Sequence, residues 1–283
     1  MKRVVAIDLG GTKIAAGLVN ERGVVRDRIE EPVDATVDQI IRIAREFGET
    51  GATGIAVPGL VRRDGTVWAP NLNGWDRVPL ARLVKKALRR DVFVDSDRNA
   101  AVLGESWRGA ARGKDDVIAL ILGTGIGAGI LSGGHIVRGA HELSGCAGWM
   151  VVSDETNEMT RRSGALEALA AGPAIARAGN AASAVELADR ARRGDKQARA
   201  TFARAAQHLG RAIANLVSLF DPETIVLTGG LANAADLFLD DAKRVASENA
   251  QPLSFPQVEV VVSKLGSEAN LLGAARLAFL NER

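Results

Sequence analysis

Cysteine occurs once in this sequence, at Cys146, and tyrosine not at all. A lone thiol excludes an intramolecular disulfide and any multi-cysteine metal site, and it suits a reducing compartment. The three histidines, His135, His141 and His208, are too scattered to form a metal-ligand spacing. Net charge is scarce as well: 36 Lys and Arg against 34 Asp and Glu leave a formal +2 over 283 residues. That is no footprint for nucleic acid. Asp8 cuts the amino-terminal apolar run Val4–Ile7 short, so no signal peptide is expected and the reading is a cytoplasmic protein. Val117 to Val137 carries no formal charge and is long enough to span a bilayer. Its alternating glycines from Gly123 to Gly129 fit a strand, a glycine turn and a second strand better, so no membrane partner is expected. A Pro/Ser-rich linker is also missing. What is left is an ordinary soluble composition, long enough for about two domains with real cores.

The pattern repeats once. Val4 to Leu9 reads as a strand, Gly10-Gly11-Thr12-Lys13 as a turn and Ile14 to Val19 as a second strand, with another turn before Val24-Val25-Arg26. Val117 to Leu122, Gly123-Thr124-Gly125, Ile126 to Leu131 and Ile136-Val137-Arg138 follow nearly the same spacing. Apolar stripes of helical period follow each meander, the longest from Asp195 to Leu219 before Asp221-Pro222. Single strands sit between the helices, and a last helix is expected from about Glu268 to Phe279. The fold class is therefore α/β with two similar halves.

Three glycine turns could handle phosphate. Gly10, Gly11, Thr12 and Lys13 offer backbone N–H groups and two side-chain donors. Asp8, at the mouth of the strand, suits a hydrated Mg²⁺; the same residues also suit a plain hairpin turn beside a buried Asp. Gly123, Thr124, Gly125 and Gly127 form the corresponding turn of the second half, a weak signal alone because glycine hairpins are common. Thr228, Gly229 and Gly230 take a strand into the start of a helix, a place for a nucleotide phosphate.

In this order the motifs resemble the ROK family of sugar kinases. The resemblance spans nearly the whole chain: Ile7 to Lys13, Val57-Pro58-Gly59, Pro70-Asn71-Leu72, Asp97-Arg98-Asn99-Ala100-Ala101 with Gly104-Glu105, Gly123 to Gly127, Gly139-Ala140, Gly164 to Ala168 and Thr228-Gly229-Gly230. It implies two actin-like ATPase (ribonuclease H-like) domains with a cleft between them, residues 1–110 and 111–267, the last helix (about 268–283) rejoining the first. It also implies ATP and Mg²⁺ as cofactors and Asp97 as general base on a hydroxyl of a sugar or polyol, with Asp97 as a helix N-cap the plainer reading. By the same resemblance Gly59, Asn71, Ser96 and Glu167 line the acceptor site, and a homodimer is possible. Glu167 could equally be a solvated helix carboxylate, and Asn71 a turn cap. The alternative is a catalytically inactive regulatory protein of the same fold.

Departures from the family pattern fall on the acceptor side. Where the family has Gly-Glu-x-Gly-His, this chain has Gly145-Cys146-Ala147-Gly148-Trp149, so Cys146 and Trp149 replace a carboxylate and an imidazole that grip the sugar. Arg161-Arg162-Ser163 lacks the thiols of the family's zinc cluster, so no structural zinc is expected. Ser96 stands where an Asn is usual. A thiol and an indole offer fewer hydrogen bonds than the groups they replace, which points to a modified sugar or cyclitol, unless neighbouring side chains restore the contacts to an ordinary hexose or N-acetylhexosamine. Trp68 and Trp75, flanking Asn71, are candidates for the cleft wall or for simple packing.

Overall fold

The computed structural model describes residues 1–48 and 51–282. Its first three strands, β1 (Arg3–Leu9), β2 (Lys13–Asn20) and β3 (Val25–Pro32), form the expected antiparallel meander. β1 and β2 are apolar and buried, whereas β3 is the sheet edge and carries Arg26, Asp27, Arg28, Glu30 and Glu31, charges that discourage pairing with another chain. Helix α1 (Val37–Glu46) starts where the Thr36 side chain accepts a hydrogen bond from the Gln39 N–H. Strand β4 (Thr53–Val57) is buried along its whole length and runs parallel to β1, as a central strand covered on both faces must be. A short hairpin of β5 (Leu60–Val61) and β6 (Val67–Trp68) precedes α2 (Leu80–Leu88). Strand β7 (Val92–Ser96), parallel to β4, passes directly into α3 (Asp97–Arg108). The sheet order is β3-β2-β1-β4-β7.

The second half opens on β8 (Val117–Leu122) and β9 (Ile126–Ser132), antiparallel across the Gly123–Gly125 turn, with β10 (His135–Ile136) as a two-residue edge. Short helices follow: α4 (Glu158–Ser163), α5 (Ala165–Ala170), α6 (Gly172–Ala178) and α7 (Ala184–Arg192). The long helix α8 (Lys196–Phe220) begins at Asp195, whose carboxylate accepts the N–H groups of Gln197 and Ala198, and stops at Asp221 with φ +45°. Then come β11 (Thr224–Thr228), α9 (Leu239–Asn249) and β12 (Glu259–Val262). This sheet runs β10-β9-β8-β11-β12, the order and strand directions of the first. Helix α10 (Glu268–Asn281) follows.

Two compact units result. One holds Met1–Gly113, Ile136–Ser144 and the stretch from Ser267 onward; the other holds Lys114–His135 and Gly145–Gly266. The expected residues 111–267 thus include a segment, Ile136–Ser144, that groups with the first unit. Arg283, the end of the expected 268–283 segment, lies outside the described residues. Among the described residues no helix is long and apolar enough to cross a membrane; the uncharged stretch from Val117 is β8 and β9.

Candidate active site

In the first unit the site grows from strand ends. Asp8 lies near the end of β1, and Asn270 of α10 donates from Nδ2 to its Oδ1 at 3.4 Å. Burial, and then the negative charge of Asp97, raise the Asp8 pKa to about 7, although Asn270, Lys13 and Arg28 pull the other way. The turn after β1 is closed by the Gly10 N–H donating to the Lys13 carbonyl at 2.9 Å. Lys13 itself reaches Glu30 on β3, Nζ to Oε1 3.0 Å. Gly11 has open space where a Cβ would stand, so an anion can approach its backbone.

Asp97 is the first residue of α3. The cap is not Asp97 but Ser96, whose Oγ accepts the Asn99 N–H at 3.3 Å. Ser96, expected to face acceptor, is buried and engaged in that cap. The Asp97 carboxylate accepts the Arg98 N–H at 2.8 Å. Burial raises its pKa, against the lowering by Arg98 and the helix N–H groups. Gly59 has φ +106° and its missing Cβ leaves room for the Trp68 carbonyl, 2.2 Å away, so its glycine is a backbone requirement. Asn71 is exposed, in the turn closed by the Leu72 N–H donating to the Ala69 carbonyl. Trp75 is core, its indole N–H donating to the Ala35 carbonyl at 2.6 Å, whereas Trp68 is exposed.

In the second unit the glycine turn is tied from several sides. The Gly123 N–H donates to the Gly125 carbonyl, and the Gly172 N–H donates to the Gly123 carbonyl, both at 2.9 Å. Glu167, on the first turn of α5, accepts the Ile126 N–H at 2.8 Å through Oε2. It is therefore not a solvated helix carboxylate. Thr124 is exposed at the tip and Gly127 continues into β9. Thr228 is buried at the end of β11, and Gly229, at φ +89°, has the Leu122 carbonyl 2.5 Å from where a Cβ would lie. From Gly230 the chain enters a 3₁₀ helix, Gly230–Leu237, rather than an α-helix. Cys146 is half-buried before a single 3₁₀ turn, Ala147–Trp149, while the Trp149 side chain is 57% exposed. Arg161-Arg162-Ser163, the stretch read as lacking a zinc cluster, closes α4, which is held by a reciprocal cap between Asn157 and Thr160.

Four residues of the first unit join its site without a sequence signal that named them: Asp95, Arg138, Glu142 and Asn270. Asp95 is 1% exposed and forms a bidentate pair with Arg138, Nη1 to Oδ1 3.1 Å and Nη2 to Oδ2 2.5 Å. Its place at the end of a buried strand, two residues before Asp97, was the available clue.

Comparison with known proteins finds similarity over nearly the whole chain. The family model described as "ROK family" matches residues 4–280. A glucokinase of Thermotoga maritima is 34% identical over 97% of this chain and 96% of its own. An N-acetyl-D-glucosamine kinase of Photobacterium profundum is 29% identical over 97% of each. The crystal structure of a ROK family glucokinase from Streptomyces griseus in complex with glucose and AMPPNP superposes with a TM-score of 0.82, at 29% identity over 99% of this chain and 100% of that one.

Proposed function

This chain belongs to the ROK family and is a sugar kinase, and we propose that Asp97 is its general base. ATP supplies the phosphoryl group. In-line transfer forms the bond between the acceptor oxygen and phosphorus as the bond to ADP breaks, and the hydroxyl proton needs an acceptor late in that step. A carboxylate at a strand–helix junction, raised by burial above the usual Asp range, is suited to take it. That single observation carries the assignment. Ser96 contributes by capping the helix that carries the base.

The glycine loops are proposed to hold the nucleotide. Gly10, Gly11, Thr12 and Lys13 serve in the first unit; Gly123, Thr124, Gly125, Gly127, Thr228, Gly229 and Gly230 serve in the second. Among the described residues no group of three or more acids, His or Cys is arranged so that it could hold a metal ion. Mg²⁺, however, usually keeps its waters and takes only one or two carboxylates. Asp8 fits that demand: burial and the negative charge of Asp97 raise its pKa to about 7, and a cation beside it would offset both. Asp8 would hold the hydrated ion, which when bound neutralises charge on the transferring phosphoryl group.

For the acceptor we propose Gly59, Asn71, Glu167, Cys146 and Trp149. Glu167 Oε2 is committed to Ile126, which leaves Oε1 for a sugar hydroxyl. Cys146 and Trp149 cannot make the hydrogen bonds of a Glu and a His, and a buried hydroxyl without partners loses about 1–3 kcal/mol. The preferred acceptor therefore differs from glucose at that end, as a modified sugar or a cyclitol does. The test is a coupled ADP-release assay over hexoses, amino sugars, N-acetylhexosamines and cyclitols, run with the Asp97→Asn variant. Turnover should be highest on a non-glucose acceptor and fall by about 10²–10⁴ in the variant, the usual worth of a positioned base. Best activity on plain glucose would overturn the acceptor reading, and an active Asp97→Asn variant would overturn the base.

A further inference from the structure

The corner that presents Asp97 is built around a carboxylate that does not itself face a substrate. Asp95 is almost fully buried, and a buried carboxylate persists as an anion only if its charge and lone pairs are met. Its Oδ1 accepts three donors: the Ser96 N–H at 2.8 Å, Asn99 Nδ2 at 2.7 Å and Arg138 Nη1 at 3.1 Å. Its Oδ2 accepts Arg138 Nη2 at 2.5 Å. Ser96 and Asn99 are the cap and the third residue of α3, so they bracket Asp97 in the chain. The Asp97 carboxylate itself is met by N–H groups of the same turn, those of Arg98 and Asp97.

Arg138 is held on its other side as well. Glu142 stands 3.8 Å from Nη1, and Arg63 Nε donates to Glu142 Oε1 at 3.0 Å. Glu142 takes φ +60°, a left-handed conformation that glycine and asparagine adopt far more readily than glutamate. Strained residues of this kind persist where the surroundings over-determine them. Here the strain turns an 11% exposed carboxylate toward the two arginines. The Ser144 N–H donates to the Arg138 carbonyl at 3.1 Å and closes the loop. Burial works against the Arg138 charge, but the hydrogen bonds and charge of Asp95 outweigh it and hold its pKa above the usual value.

We propose that Arg138, through its bidentate pair with Asp95, is a positioning residue for phosphoryl transfer: it fixes the first turn of α3 so that the Asp97 carboxylate is aimed at the acceptor hydroxyl. The planar fork matters, because only a guanidinium satisfies both carboxylate oxygens in one geometry. A lysine supplies the charge and loses the aim.

This rests on Asp97 being the base, and the experiment separates the two assignments. Wild type, Arg138→Met, Arg138→Lys, Asp95→Asn, the Asp95→Asn/Arg138→Met double variant and Asp97→Asn are compared for kcat, for KM of both substrates and for AMPPNP binding. Arg138→Met is expected to lower kcat at least tenfold, with KM for ATP and AMPPNP binding within twofold of wild type. Arg138→Lys should recover part of the loss. The double variant should be no slower than the slower single, because both changes remove one interaction. If Arg138→Met does not fold, the Arg138→Lys kcat and the double variant, which leaves no buried unpaired charge, carry the test. Wild-type kcat in Arg138→Met or in the double variant, beside an inactive Asp97→Asn, overturns the positioning role alone. An active Asp97→Asn overturns the base and this inference with it.

Discussion

At the scale of single residues, the carboxylates of the first unit do the telling. Asp8 and Asp97 could be singled out as candidates from sequence because Asp8 lies near the end of β1 and Asp97 directly follows β7, each inside a recognisable run. Asp95, Arg138 and Asn270 were not, because their partners lie far away in the chain and neither end of such a pair alters its own neighbourhood. The Asp8 shift has a checkable consequence. Its folded pKa, about 7, is raised above the unfolded value near 4. The folded chain therefore holds a proton that the unfolded chain has lost, and this contribution to stability is complete below about pH 4 and disappears as pH rises through about 7. Urea unfolding of the nucleotide-free protein should show that decline in wild type and not in Asp8→Asn, with a difference on the order of 2 kcal/mol between pH 5 and 8. In Asp97→Asn the midpoint should move to lower pH, since a repelling charge has gone; an unmoved midpoint would show that burial alone sets it.

At the scale of elements, periodicity found what is local. The two meanders, the strands between helices and α8 all have patterns that depend only on their own residues. The resemblance implies that helix α10 rejoins the first half, but which of its faces meets which element is not readable from sequence, since it is buried almost all round and has no polar face to betray an orientation. Small residues set its place. A Cβ on Gly273 would lie 1.7 Å from the Ala100 carbonyl, and one on Gly104 would lie 2.1 Å from the Ala269 carbonyl, so α3 and α10 touch backbone to backbone. Gly273→Ala must push the helices apart, and overpacking of this kind costs about 1–3 kcal/mol. A loss of that size in unfolding free energy, read as a lower urea midpoint at unchanged slope, is expected, with weaker turnover because Asn270 and α3 move with it. A midpoint equal to wild type would mean the interface has slack that the contacts do not show.

For the whole molecule, the repeated strand order was visible in sequence as a repeated spacing, whereas the grouping of Ile136–Ser144 with the first unit was not. Within that grouping Arg138 pairs with Asp95 and Glu142 with Arg63, contacts that no local pattern encodes. The first unit is thus assembled from three stretches of chain, and the second from two. A chain stopped after Gly266 keeps every strand of the second sheet and loses α10. Hydrogen exchange on it should leave β8, β9 and β11 protected while β1 and β4 exchange at least a hundredfold faster than in the full chain. Equal loss in both sheets would contradict the division into two units.

The position of α10 also sets an order of events during synthesis. The strands of the first sheet leave the ribosome before those of the second, yet the helix that packs on β4 and α3 emerges after all of the second unit. Until then the apolar faces of β4 and α3 lack their cover, and this is the interval in which a nascent chain most needs a chaperone. The half of the protein that carries Asp97 begins first and is finished last.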